Sequence, residues 1–372
     1  MVFKNLTLFN FKNFESLEVD FIDGLNCFVG HNGAGKTNIL DALHYLSMTK
    51  SSINSVDSAN IKFEENQFMI KSKVHVKKKN RLINCAASIG KKKEVKVDKK
   101  EHEKLSHHIG MFPLVMISPN DTDLIYDSNE VRRRFFDSAI SQSNKEYLQH
   151  LITYTFALKN RNALLKMDAN KAPMDYDLLK TYTNLLIKHG KPIHEERAAY
   201  VRQFLTLFNE HYGSLHSKIE PVSIQYESQF EGKSIEALYE QSLQKDLITQ
   251  RTSVGIHKDS FLFTIYDKPL KRHGSQGQQK SFLVGLKLAQ FELLSAQKKL
   301  KPTLLLDDIF DKLDDERMHK LLQKVTANEY GQLFITDARP ERTLKVLEAN
   351  KLGARIFEVE NGAIINTSDY EA

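Results

Sequence analysis

The segment Gly30-His31-Asn32-Gly33-Ala34-Gly35-Lys36-Thr37 constrains this chain most, because it fills every fixed position of the pattern G-x-x-x-x-G-K-[ST]. Glycines at those positions let backbone N–H groups converge on phosphate oxygens, and a helix beginning near Lys36 adds the positive end of its dipole. The flanks agree with this reading. Leu25 to Val29 is a short apolar strand running into the glycines, and Ile39, Leu40, Leu43 and Leu46 follow at helical spacing. The expectation is a nucleotide site using Gly30, His31, Asn32, Gly33, Ala34, Gly35, Lys36 and Thr37. In it, Lys36 reaches the β- and γ-phosphates of ATP and Thr37 offers its hydroxyl to Mg²⁺.

Such a site needs an acidic side chain at the end of another core strand. Thr303 to Leu306 is an apolar run that ends in Asp307-Asp308. Asp307 is expected to hold the metal, directly or through water, and Asp308 to polarise the attacking water. Gly274-Ser275-Gln276-Gly277-Gln278 opens a long amphipathic helix through Phe282, Leu286, Ala289 and Leu293, which gives a second phosphate-seeking helix start. One nucleotide cannot easily use two such starts in one subunit, so a second copy is implied. Asp311 and Asp314 follow the acidic strand closely. Leu333 to Ile335 leads to Thr336-Asp337, another strand end placed near the γ-phosphate.

The rest of the chain divides by texture. Residues 1–128 carry the P-loop and a β-rich meander, 129–250 read as helical, and 251–372 resume an α/β pattern. The helical stretch, broken near Pro173, reads as an inserted arm of antiparallel helices. The fold expected is α/β, a P-loop ATPase head with a mixed sheet plus an inserted α-helical arm. Two cysteines, Cys27 and Cys85, form neither a disulfide framework nor a zinc spacing. No apolar run approaches the roughly 18 residues needed to cross a bilayer, and the N-terminus has no signal-peptide core. These features read as a cytoplasmic protein without a membrane partner.

In this order and spacing, the motifs resemble the ABC-type ATPase heads of the SMC class, and within it the RecF family of bacterial recombination mediators. The resemblance covers nearly the whole chain. It includes Leu6 to Phe14, the P-loop with Asn38 following, and Ser118-Pro119-Asn120-Asp121. It continues through Arg132-Arg133-Arg134-Phe135-Phe136-Asp137, Thr252 to Asp259, Ser275 to Gln278, and Leu304 to Asp308. The resemblance implies an ATP-dependent homodimer on double-stranded or gapped DNA, without sequence preference, that helps load RecA, with RecO and RecR as partners. ATP would sit between the P-loop of one copy and Ser275, Gln276, Gly277 and Gln278 of the other. Asn120 or Asp121 would act as a Q-loop near Mg²⁺ or the water, Asp311 and Asp314 as a D-loop, and Thr336 with Asp337 as the switch. Asp308 stands where many ABC ATPases carry Glu, one methylene longer, so slow turnover is expected. Thr336-Asp337 stands where a switch histidine is frequent, and Ile256 stands where the family pattern has proline.

Charge suggests where DNA would lie. Residues 71 to 108 carry a net +9 within a chain of net +6, so the remainder is negative. Lys77, Lys78, Lys79, Arg81, Lys91, Lys92 and Lys93 form the densest group and would meet phosphates without reading sequence. The plainer reading is a solvated hairpin, and Arg132 to Arg134 is a rival surface. Other classes fit less well. About 240 residues separate Gly35 from Gly277, more than a compact transporter subunit needs. The arm is too short for an extended coiled coil, and no Asn-Lys-x-Asp segment reads a guanine base.

Overall fold

The computed structural model describes residues 1–166, 174–215, 220–309, 319–320 and 331–371. They fall into two compact units, one of Met1–Thr122, Glu210–Ile219 and Gln276–Ala372, the other of Asp123–Asn209 and Glu220–Ser275. This division differs from the sequence-based boundaries. Residues 251–275, expected with the head, pack with the helical unit because strand Ser260–Ile265 pairs antiparallel with Val222–Glu227. Asp311, Asp314 and Pro173 lie outside the described residues.

The first unit holds two sheets. The six-stranded one runs in the order Ala363–Tyr370, Ala354–Glu360, Leu25–Val29, Leu333–Asp337, Thr303–Leu306, Leu114–Ile117. Every pairing is parallel except that of the Ala363–Tyr370 edge, so the sheet is mixed. Its inner strands are buried on both faces, which is why they read as continuous apolar runs. Alternation sends Phe28, Leu305, Phe334 and Phe357 into one core with Ile39, Leu40 and Leu43 of helix Lys36–Met48. Cys27, Val29, Leu304 and Leu306 enter the other, with Val284, Leu288 and Phe291 of helix Gln276–Lys298. The two helices that begin at glycine-bearing motifs therefore cover opposite faces of one sheet.

The second sheet is antiparallel and carries the lysines. It runs Phe14–Asp20, Asn5–Phe11, Gln67–Val76, Lys79–Ser88, Glu94–Val97, Lys100–Glu101, with Val2–Phe3 alongside Gln67–Val76. Its apolar face (Leu6, Leu8, Phe68, Ile70, Val74, Ile83, Cys85) closes the first core. Period-two alternation leaves the lysines on the solvent face.

The second unit contains helices Asn129–Ser143, Lys145–Leu165 and Ile235–Thr249, most of the long helix Tyr176–Ser214, and a three-stranded sheet. Among the described residues no helix is long and apolar enough to cross a membrane.

Candidate nucleotide site

Strand register assembles this site. Leu333–Asp337 pairs with Leu25–Val29 so that Asp337 lies beside Val29, and Leu306 lies beside both Ile335 and Ile117. Gly30, Asp307, Thr336 and Ser118 therefore emerge at one edge of the sheet, the carboxyl ends of its parallel strands, where open α/β sheets bind ligands.

Two glycines of the loop are required by space as well as by conformation. Gly30 has φ +147°, and a Cβ there would lie 2.2 Å from the Val359 carbonyl oxygen. At Gly35, with φ +116°, a Cβ would lie 2.5 Å from Asn13 Nδ2. The loop is thus wedged between the turn at Asn13 and the strand ending at Glu360. Asn13 Nδ2 donates to the Ala34 carbonyl (3.1 Å) and its Oδ1 accepts from Asn38 (2.7 Å), while the Gly362 N–H also reaches the Ala34 carbonyl (3.0 Å). Neither Asn13 nor Gly362 was picked out from sequence as a site residue. Asn38, adjacent to the motif, was the only local hint.

Inside this frame Lys36 folds back over the loop, its Nζ donating to the carbonyls of Gly30 (2.6 Å) and His31 (2.9 Å). Burial pushes its ammonium below the ordinary lysine range, while Asp308, Asp307 and Asp337 pull the other way. Thr37 Oγ1 donates to Asp307 Oδ1 at 2.9 Å, which joins the P-loop to the acidic strand. Thr336 Oγ1 donates to the same oxygen at 2.8 Å and accepts from the Asp308 N–H at 2.9 Å. Burial raises the Asp307 carboxyl above its usual range; the two threonines oppose that shift, Asp308 adds to it, and Lys36 opposes it. Asp308 turns the chain in the left-handed region (φ 52°), which a short carboxylate side chain tolerates.

The remaining expectations separate. Asp337 accepts from Thr343 (3.0 Å) and the Arg339 N–H (3.2 Å) and is ion-paired with Arg342, so its carboxylate is committed to the start of helix Pro340–Ala349. Thr336 alone of that pair bonds the acidic strand end. Asp121 accepts from the Ser118 N–H (2.7 Å) and pairs with Lys287 at 2.6 Å, whose Nζ also donates to the Met116 carbonyl (2.8 Å). This ties the Q-loop-like turn to the helix that follows Ser275. Asn120 is exposed, as are Ser275 and Gln276, with Gly277 and Gln278 half-buried. Lys287 was missed in the sequence; its signal was a lysine within the apolar run Leu286–Ala289.

The lysines do not form one patch. Lys77 and Lys78 make the turn between Gln67–Val76 and Lys79–Ser88, whereas Lys91 and Lys92 follow the opposite end of that ladder. Nine residue steps separate the two ends, roughly 30 Å. Lys93 is turned inward, donating to the Thr49 carbonyl (2.6 Å) and paired with Asp57 at 3.1 Å, which removes it from an exposed surface. Arg81 pairs with Asp98. Lys99 and Lys100 join the Lys77 end, because Val97 lies beside Ile83.

The family model described as RecF/RecN/SMC N terminal domain matches residues 2–364. The chain is also 44% identical over 359 residues to the DNA replication and repair protein RecF of Flavobacterium johnsoniae, covering 96% of this chain and 100% of that protein. The chain belongs to the RecF family. A solved structure described as the recombination mediator protein RecF-ATP in the RecFOR pathway superposes with TM-score 0.88 at 27% identity, covering 99% of this chain and 97% of that one. An Smc head domain from Pyrococcus furiosus shares the fold at TM-score 0.56 and 15% identity. The RecF and SMC-head ATPase fold expected from the motifs is therefore the fold observed, with its mixed sheet and helical insertion.

Proposed function

We propose that this chain is an ATP-switched DNA-binding protein in which two copies close on each other when ATP is held. The observation carrying this reading is the Thr37–Asp307 contact at 2.9 Å, which joins a phosphate loop to an acidic strand end within one buried site. A hydroxyl and a carboxylate are hard oxygen donors of the kind Mg²⁺ takes alongside nucleotide phosphates, so Thr37 and Asp307 fit that ion. When bound, Mg²⁺ supplies charge neutralisation at the β- and γ-phosphates. Lys36 supplies a further cation there, and Asp308 the base that orients water. A carboxylate one methylene shorter than Glu reaches less far, which supports slow hydrolysis and a switch role.

The second copy is argued from the two helix starts. They lie on opposite faces of one sheet, so a phosphate seated at Lys36 is served by Ser275 to Gln278 of a partner copy. We infer the family's setting for the rest: assistance to RecA loading at gaps with RecO and RecR, in the cytoplasm and under DNA damage. The D-loop roles of Asp311 and Asp314 belong to the same proposal. Sedimentation tests the switch. With ATP the chain is expected to shift from monomer to dimer, and Ser275→Arg to block that shift while retaining ATP binding. Loss of ATP binding in Ser275→Arg would mean that the serine serves its own subunit's nucleotide.

For DNA, the tips of the lysine-bearing sheet are the stronger surface. Lys77 and Lys78 occupy the left-handed region (φ 48° and 62°), as do Asp98 and Lys99 (52° and 67°). Asn-Gly is far better suited to such two-residue turns, so lysines here cost stability that a purely structural turn would not forgo. Lys77→Asn with Lys78→Gly is expected to raise the melting temperature while weakening DNA binding and reducing the salt slope by about 1.8, near 0.9 per lost phosphate contact. A more stable protein with unchanged DNA affinity would remove the tips from the interface.

A further inference from the structure

The helical unit spends two buried arginines on one short segment. Arg161 and Arg197 are each 1% exposed. Arg161 bonds Asp246 (2.8 Å) and the Thr252 hydroxyl (2.8 Å); Arg197 bonds Asp259 (2.7 Å) and the Ile256 carbonyl (2.8 Å). Both converge on Thr252–Asp259, a segment further closed by His257 Nε2 against the Thr252 carbonyl (3.1 Å). Gly255 fits only because it lacks a side chain: a Cβ would lie 2.3 Å from the Tyr154 hydroxyl. Buried ion pairs seldom stabilise more than apolar side chains of similar size. Here the contacts tie down the segment's backbone at the Thr252 and Ile256 carbonyls.

The fixed segment carries cations at its surface. Lys258 is exposed on it and Arg251 is exposed immediately before it. Arg133, on helix Asn129–Ser143, donates to the Asp259 carbonyl at 2.6 Å, next to Lys258. Lys245 lies on helix Ile235–Thr249, six positions before Arg251. Lys258 feels the other three: burial, then Arg251 and Arg133, hold its ammonium below its ordinary range, with Lys245 adding and Asp246 opposing. Among the described residues, none of the four is in a salt bridge, although the neighbouring Arg134 is paired with Glu130. Cations outside any salt bridge, gathered on one surface, suit an external polyanion.

We propose that Arg133, Lys245, Arg251 and Lys258 form a second DNA-phosphate contact surface, on the helical unit and separate from the hairpin tips. The proposal rests on the reading of this chain as a DNA-binding protein. Duplex DNA, with one charge per roughly 1.7 Å of axis, offers the density of fixed negative charge that four neighbouring cations match.

The test uses the full chain with ATP and a fluorescent gapped duplex, measured by anisotropy over a salt series. Arg251→Gln with Lys258→Gln is expected to weaken binding roughly tenfold at low salt and to lower the salt slope by about 1.8. Arg251→Glu with Lys258→Glu should weaken it further, with ATP binding and melting temperature unchanged in both. Unaltered affinity and slope, in a protein whose hairpin-tip variants do bind more weakly, would overturn this surface and leave the DNA reading standing. Absence of DNA binding by the unsubstituted protein would overturn both. Unaltered DNA binding with loss of salt-sensitive poly-glutamate binding would assign the surface to an acidic polypeptide and overturn the proposal.

Discussion

Lys36→Met is expected to abolish most ATP binding while leaving the fold nearly intact. The ammonium lies at the inner wall of the loop, and a charge-assisted contact of this kind contributes about 1.5–3 kcal/mol, so ATP affinity should fall between about tenfold and 150-fold. The carbonyls of Gly30 and His31 lose a donor, but half-buried Gly30 and exposed His31 remain open to water, which keeps the folding cost small. Thermal melting makes the distinction measurable. At an ATP concentration of about 100 Kd, the unsubstituted chain gains about 2.7 kcal/mol by linkage, whereas a variant binding about 100-fold more weakly gains only about 0.4 kcal/mol. An ATP-induced shift as large in Lys36→Met as in the parent would show that the phosphates are held without this side chain. A variant already unfolded without ATP would show that the internal contacts of Lys36 matter more to the loop than its charge does to the ligand.

Much of this site was legible because its parts are local. A strand, a glycine loop and a helix in sequence order need no tertiary knowledge, and an apolar run ending in two carboxylates declares itself in the same way. The contact of Thr37 with Asp307 joins residues far apart in the chain, yet it follows once both strands are placed parallel to one another in one sheet. What stayed hidden depends on which way a side chain turns. Asp337 looked like a phosphate sensor because it ends a core strand, but Arg342 and Thr343, five and six residues later, take its carboxylate. Lys93 looked like part of a basic run, yet Asp57 and the Thr49 carbonyl draw it inward. The lysine runs seemed one patch because they are near in sequence, and a ten-residue ladder puts them at its two ends. Charge counts along a chain measure proximity in sequence, and in a hairpin that proximity separates residues as readily as it gathers them.

The buried arginines carry the largest expected effect on stability. Arg197→Met leaves Asp137 and Asp259 without the cation that both face (2.9 Å and 2.7 Å), and breaking a buried pair from one side costs about 3–5 kcal/mol. Against a typical total of about 5–15 kcal/mol, that is enough to leave the chain partly unfolded at physiological temperature. Removing the stranded charges as well should recover much of the loss: Arg197→Met with Asp137→Asn and Asp259→Asn keeps acceptors for Tyr147 and Tyr226, which bond those carboxyls in the parent. The pH dependence separates charge from packing. Burial already raises the Asp259 carboxyl above 3.8, with Arg197 opposing that shift, so loss of Arg197 raises it further. A carboxyl whose folded value lies above its unfolded value binds more protons in the folded state. Its penalty is therefore full at neutral pH and is relieved as pH falls through the raised value toward 3.8. The gap in unfolding free energy between Arg197→Met and the parent should narrow on acidification, as measured by urea melts at pH 7 and near pH 5. A gap that stays constant over that range would mean that Arg197 acts through shape, and that the rigid segment beneath Lys258 owes its position to packing rather than to buried charge.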